Sequence, residues 1–255
     1  MPISRRRFLA CTLGIASAAL SPAADPAAAA SRPRVRAVAF DALAVFDARP
    51  VLALTERLFE ERGAELGRVW RTRQFEYCWL RTLMNRYVDF WAVTEEALVH
   101  AAGSLGLELT AEKRRQLMQA HLELGAWPDV VPTLAALRAR ELRLALLSNF
   151  TGAMLDACVA NSGLKDAFEF SLSTDRVRAY KPDPRAYAMA TDAFACERSE
   201  VAFVAFGGWD AAGAKSFGFE TFWVNRGATV EEKLGISPDV TGYDLRGLEN
   251  FLVGR

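Results

Sequence analysis

The chain has 255 residues, about half of them apolar, and its 31 basic side chains are matched by 31 acidic ones. That length suffices for one large domain or for a core domain with a smaller companion. Balanced charge leaves no electrostatic footprint for nucleic acid or an anionic membrane surface, and beyond the N-terminal segment no stretch approaches the roughly 20 apolar residues that span a bilayer.

The first residues are expected to be a targeting segment rather than part of the fold. Ser4-Arg5-Arg6-Arg7-Phe8-Leu9 resembles the twin-arginine export motif. An alanine-rich apolar run follows, then Ala28-Ala29-Ala30 before Ser31, a small-residue cleavage pattern. Residues 1–30 are therefore expected to be a signal peptide, with the mature chain periplasmic and off the membrane after cleavage. Cys11 precedes the apolar run instead of ending it, so it does not mark a lipoprotein. Cys11, Cys78, Cys158 and Cys196 show no CxxC spacing and no close His partner. They read as free thiols, not as a zinc site or a disulfide framework. The twin-arginine route carries proteins already folded, which suits an exported chain without disulfide patterning.

Val35-Arg36-Ala37-Val38-Ala39-Phe40 is a short apolar run ending at Asp41 and predicts a buried parallel strand. Similar runs recur at Leu142 to Leu147, Val201 to Phe206 and Thr221 to Val224. Between Pro50 and Leu124 the pattern is helical with no convincing strand. Thr94, followed by Glu95 and Glu96, predicts one helix N-cap there, and Thr110 with Glu112 another. Leu134, Leu137 and Ala139 form an apolar stripe behind Pro132. Strands alternating with helices imply an α/β fold with a Rossmann-like parallel sheet. The expected division is a core of residues 34–47 and 129–255 with an inserted helical lid, or cap, over residues 48–128.

In such a sheet a ligand lies at the carboxyl ends of the strands. Asp41 closes the first strand and Ser148-Asn149 the Leu142 strand. Lys181 lies in Tyr180-Lys181-Pro182-Asp183, and Asp210 follows the Val201 strand in Trp209-Asp210. An aspartate nucleophile needs a nearby cation to stay ionised, and lysine supplies it. Ser and Asn can donate hydrogen bonds to an anionic substrate. A lone Asp at a strand end is more often a turn or cap residue; this converging set is a much stronger signal.

With these residues in view, the chain resembles the haloacid dehalogenase superfamily and, within it, the L-2-haloacid dehalogenases. The resemblance runs from about Val35 to the C-terminus through Ala39-Phe40-Asp41, Leu147-Ser148-Asn149, Tyr180-Lys181-Pro182-Asp183, Trp209-Asp210-Ala211, Gly218-Phe219 and Val224-Asn225-Arg226. Trp70-Arg71, Glu76-Tyr77, Trp79-Leu80-Arg81 and Leu83-Met84-Asn85-Arg86-Tyr87 match in the lid and point to the dehalogenase branch. The resemblance implies that Asp41 attacks C2 of a short 2-haloacid, displaces halide with inversion and forms an aspartyl ester that water hydrolyses. It further implies Arg71 as halide acceptor, Ser148 and Asn149 as carboxylate binders, Lys181 as the partner of Asp41, and Asp210 as activator of the water. Phe90 and Trp209 match apolar pocket positions, and Tyr187 a supporting one. No cofactor is expected and no metal, since these dehalogenases need no magnesium; a homodimer is compatible with the family.

Leu43 stands where phosphatases of the superfamily carry a second Asp as general acid. Its loss argues against phosphate ester hydrolysis, whose leaving alkoxide needs a proton that a halide does not. Other departures touch the dehalogenase pattern itself. Asp-x-Tyr-Gly-Thr becomes Asp41-Ala42-Leu43-Ala44-Val45, and Ser-Ser-Asn becomes Ala205-Phe206-Gly207. Each hydrogen bond to a charged group is worth roughly 1.5–3 kcal/mol, so each loss can cost about tenfold or more in rate. The expectation is a dehalogenase of weakened or altered activity, the alternative an impaired relative that binds a small carboxylate. Val45→Thr, Ala205→Ser and Gly207→Asn together are expected to raise the rate.

Overall fold

The computed structural model describes residues 35–253. The export segment expected at residues 1–30 lies outside the described residues.

Strand β1 (Ala37–Phe40) is buried along its whole length, as the interior of a parallel sheet requires. It lies between β2 (Arg143–Ser148) and β4 (Val201–Ala205). β3 (Phe170–Ser173) flanks β2, and β5 (Glu220–Val224) and then β6 (Val240–Gly242) follow β4. The order is β3-β2-β1-β4-β5-β6, parallel throughout. The chain thus builds outward from β1 in one direction and restarts at β4 in the other. The crevice at that switch point opens at the carboxyl ends of β1 and β4. Ala37 pairs with Val201 and Phe40 with Val204, so Asp41 and Ala205 emerge side by side.

The sheet has a core on each face. Val38, Phe40, Leu146, Val204 and Phe222 point into one. Ala37, Ala39 and Ala145 point into the other, where small side chains leave room for the rings of Tyr187, Phe203, Phe217 and Phe219. The four strands expected from sequence are present, with ends shifted by a residue or two. β3 and β6 are additional. Both are short strands at the sheet edges and carry Ser, Thr or Gly, too little apolar run to stand out.

After β1 comes a single helical turn, α1 (Ala42–Val45), and then a helical insertion between β1 and β2. It comprises α2 (Arg49–Phe59), α3 (Gly63–Leu83), α4 (Phe90–Ser104) and α5 (Ala111–Gln119), with 3-10 turns at Glu60–Arg62 and Ala120–Leu122. Thr110 caps α5 by accepting from the Lys113 amide at 3.2 Å. Thr94 is not a cap. Asp89 caps α4, accepting from the Ala92 amide at 2.8 Å, and Thr94 lies within the helix. Its hydroxyl donates to Phe90 O and accepts from Gln74 Nε2, both at 2.6 Å, so it joins α4 to α3 instead. In α6 (Val130–Ala139) the buried stripe is Val130, Thr133, Leu134 and Leu137; Ala139 is exposed at the helix end.

Two sets of contacts hold the insertion to the sheet. At its linkers Phe46 forms a bridge with Ala126, Asp47 N donates to Gly125 O at 2.8 Å, and Trp127 N donates to Val45 O at 3.0 Å. At the far end, Thr82 Oγ1 accepts from Tyr180 N at 3.1 Å, and the Tyr180 hydroxyl donates to Val88 O at 2.6 Å. Tyr87 adds a hydrogen bond to the Asp175 carboxylate. α7 (Gly152–Asn161), α8 (Pro184–Phe194), α9 (Gly208–Phe217) and α10 (Leu248–Leu252) complete the fold.

Candidate active site

Asp41 is the first residue past β1, and its amide bonds Val204 O at 2.9 Å. Its side chain caps α1, with Oδ2 accepting from Leu43 N at 2.9 Å. Oδ1 accepts from Lys181 Nζ at 2.7 Å. The same ammonium donates to Asp210 Oδ2 at 2.7 Å, and the Tyr187 hydroxyl donates to Asp210 Oδ1 at 2.7 Å. One hydrogen-bonded chain therefore runs Asp41–Lys181–Asp210–Tyr187. α9 approaches Tyr187 closely at Gly213, where a Cβ would sit 2.6 Å from Pro182 Cβ.

Lys181 is 1% exposed and Asp210 2%. A buried charge persists only when paired, and this ammonium has two carboxylates. Burial acts to lower the Lys181 pKa, but Asp210 and Asp41 outweigh it and hold it raised. Burial pushes the Asp210 carboxyl above the ordinary carboxylate range, with Lys181 opposing, Asp41 reinforcing and the Tyr187 hydrogen bond pulling it down. Burial, then the neighbouring Asp210, also raises the Tyr187 phenol, keeping it a donor.

Ser148 and Asn149 stand at the end of β2. Ser148 Oγ accepts from Phe150 N at 3.1 Å. Asn149 Oδ1 accepts from Lys181 N at 3.0 Å, which fixes the amide so that Nδ2 is its free end. That Nδ2 is buried and has no partner among the described residues, and Asn149 lines the cavity beside Asp41. A buried donor left unpaired costs about 1–3 kcal/mol, a cost that an anionic ligand would remove.

The cavity measures about 20 Å³. α3 brings Arg71 to its wall, with the guanidinium carbon 5.3 Å from the Phe75 ring centroid and 5.4 Å from that of Phe206. Burial lowers the Arg71 pKa, and Asp41 acts against that. Phe90 stacks on Phe150 at 5.4 Å. Trp209 packs on Phe75 at 5.2 Å and on Trp79 at 5.4 Å, closing the cavity against the insertion.

All nine residues singled out from sequence fall at this place. Asp41, Lys181, Asp210 and Tyr187 form the hydrogen-bonded chain; Arg71, Phe90, Ser148, Asn149 and Trp209 line the cavity, as do Asp41 and Asp210. Sequence reasoning missed Phe75, Phe150 and Phe206 as cavity walls. Phe75 was within reach, since it lies four residues after Arg71 and so on the same helix face. Gly207 lines the cavity, while Val45 and Ala205 are fully buried next to the nucleophile's strand. Among the described residues no group of three or more His, Cys, Asp or Glu is placed to hold a metal ion.

A family model described as haloacid dehalogenase-like hydrolase matches residues 27–218. The (S)-2-haloacid dehalogenase of Pseudomonas sp. (strain YL) is 42% identical over 215 residues, covering 84% of this chain and 93% of that protein. A crystal structure of an L-2-haloacid dehalogenase superposes with a TM-score of 0.84 at 40% identity, covering 86% of this chain and 99% of that one. The L-2-haloacid dehalogenase of Xanthobacter autotrophicus with chloropropionic acid covalently bound gives a TM-score of 0.79 at 37% identity, over 86% of this chain and 99% of that one. The chain belongs to the haloacid dehalogenase-like hydrolases, in the branch of the (S)-2-haloacid dehalogenases.

Proposed function

We propose that this chain hydrolyses short L-2-haloacids to 2-hydroxy acids through an ester on Asp41. The observation that carries this reading is the pairing of Asp41 with Lys181 and Asp210 beside a cavity whose other charged wall is Arg71. An oxygen of Asp41 attacks C2 opposite the halogen. The carbon–halogen bond breaks, its electron pair leaves with the halide towards Arg71, and C2 inverts. Lys181 holds the nucleophile through its hydrogen bond to Oδ1, and Ser148 Oγ with Asn149 Nδ2 binds the substrate carboxylate. Water then adds to the Asp41 carboxyl carbon, giving up a proton towards Asp210. The bond between the Asp41 acyl carbon and the esterified oxygen breaks, and that oxygen, which came from Asp41, takes the proton back from Asp210 and leaves as the hydroxyl of the 2-hydroxy acid. Leu43 supplies no acid at the position where an alkoxide leaving group would need one, which suits halide.

The helical segment 48–128 acts in this scheme as the lid that brings Arg71 to a core of residues 34–47 and 129–255. The motif around Arg5 and Arg6 supports export before action in the periplasm. Arg5→Lys with Arg6→Lys then retains the protein in the cytoplasm, read by fractionation. The enzyme itself is tested by halide release from L-2-chloropropionate and by a single turnover in ¹⁸O-water. Label should enter the Asp41 carboxylate and not the first-turnover product. Label in the product with none in Asp41 excludes the ester route. Binding of a 2-hydroxy acid without halide release from any 2-haloacid marks the impaired relative instead.

A further inference from the structure

The turn that follows the nucleophile is held from behind by groups from two distant parts of the chain. α1 is one turn long, and all of its residues are buried. Ala44 N bonds Asp41 O at 3.1 Å and Phe46 N bonds Ala42 O at 2.7 Å, and the turn ends there, so the carbonyls of Leu43, Ala44 and Val45 must be satisfied from outside. Trp127 Nε1 donates to Leu43 O at 3.3 Å, Arg226 Nη2 to Ala44 O at 3.1 Å, and Trp127 N to Val45 O at 3.0 Å. Two guanidiniums stack on the Trp127 ring, with the Arg49 and Arg226 guanidinium carbons each 4.4 Å from its centroid. Arg226 Nη1 bonds Asp129 at 3.1 Å, and Asp129 Oδ2 also accepts from Leu245 N at 2.7 Å. Such a stack is stronger when desolvated, and Arg226 is 9% exposed.

The other end of α1 holds the nucleophile. Among the described residues, two donors fix the Asp41 carboxylate, Lys181 Nζ on Oδ1 and Leu43 N on Oδ2. The second belongs to α1, so the orientation of the carboxylate follows the position of that turn. Val45 offers no hydroxyl, and Ala205, which emerges beside Asp41, offers none either.

We infer that Trp127 and Arg226 are positioning residues for the nucleophile, clasping the carbonyl end of α1 so that its amide end aims Asp41. This rests on Asp41 being the nucleophile of the proposed dehalogenation. The clasp takes the place of side-chain restraint at positions 45 and 205. It also joins the returning linker of the helical insertion, through Trp127, to the strand that carries Asp41.

Trp127→Phe keeps the stacked ring and removes the indole N–H. Arg226→Lys keeps a cation beside Asp129 and loses the fork that also reaches Ala44 O. In the full chain, each variant should lower kcat on L-2-chloropropionate by tenfold to a hundredfold, the order expected for a misplacement of about 1 Å. KM should stay within about threefold, because substrate-binding groups are untouched. The Leu43 amide, which donates to Asp41, should exchange its hydrogen at least about tenfold faster in the variants while Val38 and Phe40 amides in β1 keep their parental rates. A folded Trp127→Phe with parental kcat and parental Leu43 exchange overturns the clasp. So does acceleration shared equally by β1 and α1, which marks general destabilisation. Absence of halide release from the parent overturns the dehalogenase reading alone, and the exchange measurement then decides the clasp by itself.

Discussion

Trp209 lies so close to Gly207 that a Cβ built on the glycine meets the indole nitrogen at 2.9 Å. The indole therefore fills the space that an amide side chain at position 207 would need, and it rests in turn on Phe75 and Trp79 of α3.

Gly207→Asn, expected from sequence to help restore activity, should instead lower it. Forcing extra atoms into a packed site costs about 1–3 kcal/mol, and the displaced indole pushes on the helix that carries Arg71. A fall of about tenfold in halide release is expected. Adding Trp209→Phe shortens the clashing ring and should recover most of the loss. A single Gly207→Asn variant as fast as the parent would show that the indole yields freely. Val45→Thr and Ala205→Ser do not meet this clash.

Lys181→Ala should abolish turnover and destabilise the protein by about 3–5 kcal/mol, because two buried carboxylates lose their shared cation. Lys181→Ala with Asp210→Asn should regain part of the stability and none of the activity. Chemical denaturation and halide release read the two effects separately. Equal stability of parent and Lys181→Ala would contradict the pairing. Asp41→Asn should be inactive while remaining folded.

Tyr187→Phe should move the acid limb of the rate profile to higher pH. The Tyr187 hydroxyl stabilises the charged form of Asp210 and pulls its pKa down against burial. Without that donor the carboxyl holds its proton to a higher pH, so the base form disappears earlier as pH falls. A kcat profile whose acid limb does not move would separate Asp210 from the rate-limiting proton transfer.

His121 should make the fold acid-sensitive. It is buried, packs edge-on against Trp70 at 5.1 Å, and burial lowers its pKa from 6.5 to about 4. The unfolded chain takes up its proton as pH drops below 6.5, whereas the folded chain does so only near 4. Stability from this residue is therefore full above 6.5 and lost progressively down to about 4, by roughly 3 kcal/mol in total. His121→Phe keeps a ring and removes the titration. The gap between parent and variant melting temperatures should shift in favour of the variant as pH falls from 7 to 4, on the scale set by burial of a neutral imidazole. A gap that stays constant over that range would refute the assignment.

The strands leading to Asp41 and Ser148 were legible because a strand covered on both faces must be an unbroken apolar run, and the polar residue ending each run lies at the crevice; the run of β4 likewise leads to Asp210, in the first turn of α9. Lys181, in a loop, was read instead as the cation that such an aspartate needs, whereas Arg71, in the middle of α3, was not legible by that logic and the family resemblance supplied it. Thr94 misled because its sequence context fits a cap, whereas its hydroxyl is spent on Gln74 across two helices. Phe206 and Trp127 depend on contacts between segments far apart in the chain, Arg71 in one case and Arg49 with Arg226 in the other. No local period encodes such pairings.

Tyr180 precedes Lys181 and is tied to the helical insertion at both its amide and its hydroxyl, through Thr82 and Val88. For anyone engineering new substrate ranges, this makes the stretch from Thr82 to Val88 part of the catalytic machinery in effect, although it touches neither Asp41 nor the cavity. Libraries confined to the cavity walls would leave the lysine's mooring unsampled. Screens that randomise this stretch for surface properties would alter turnover without warning.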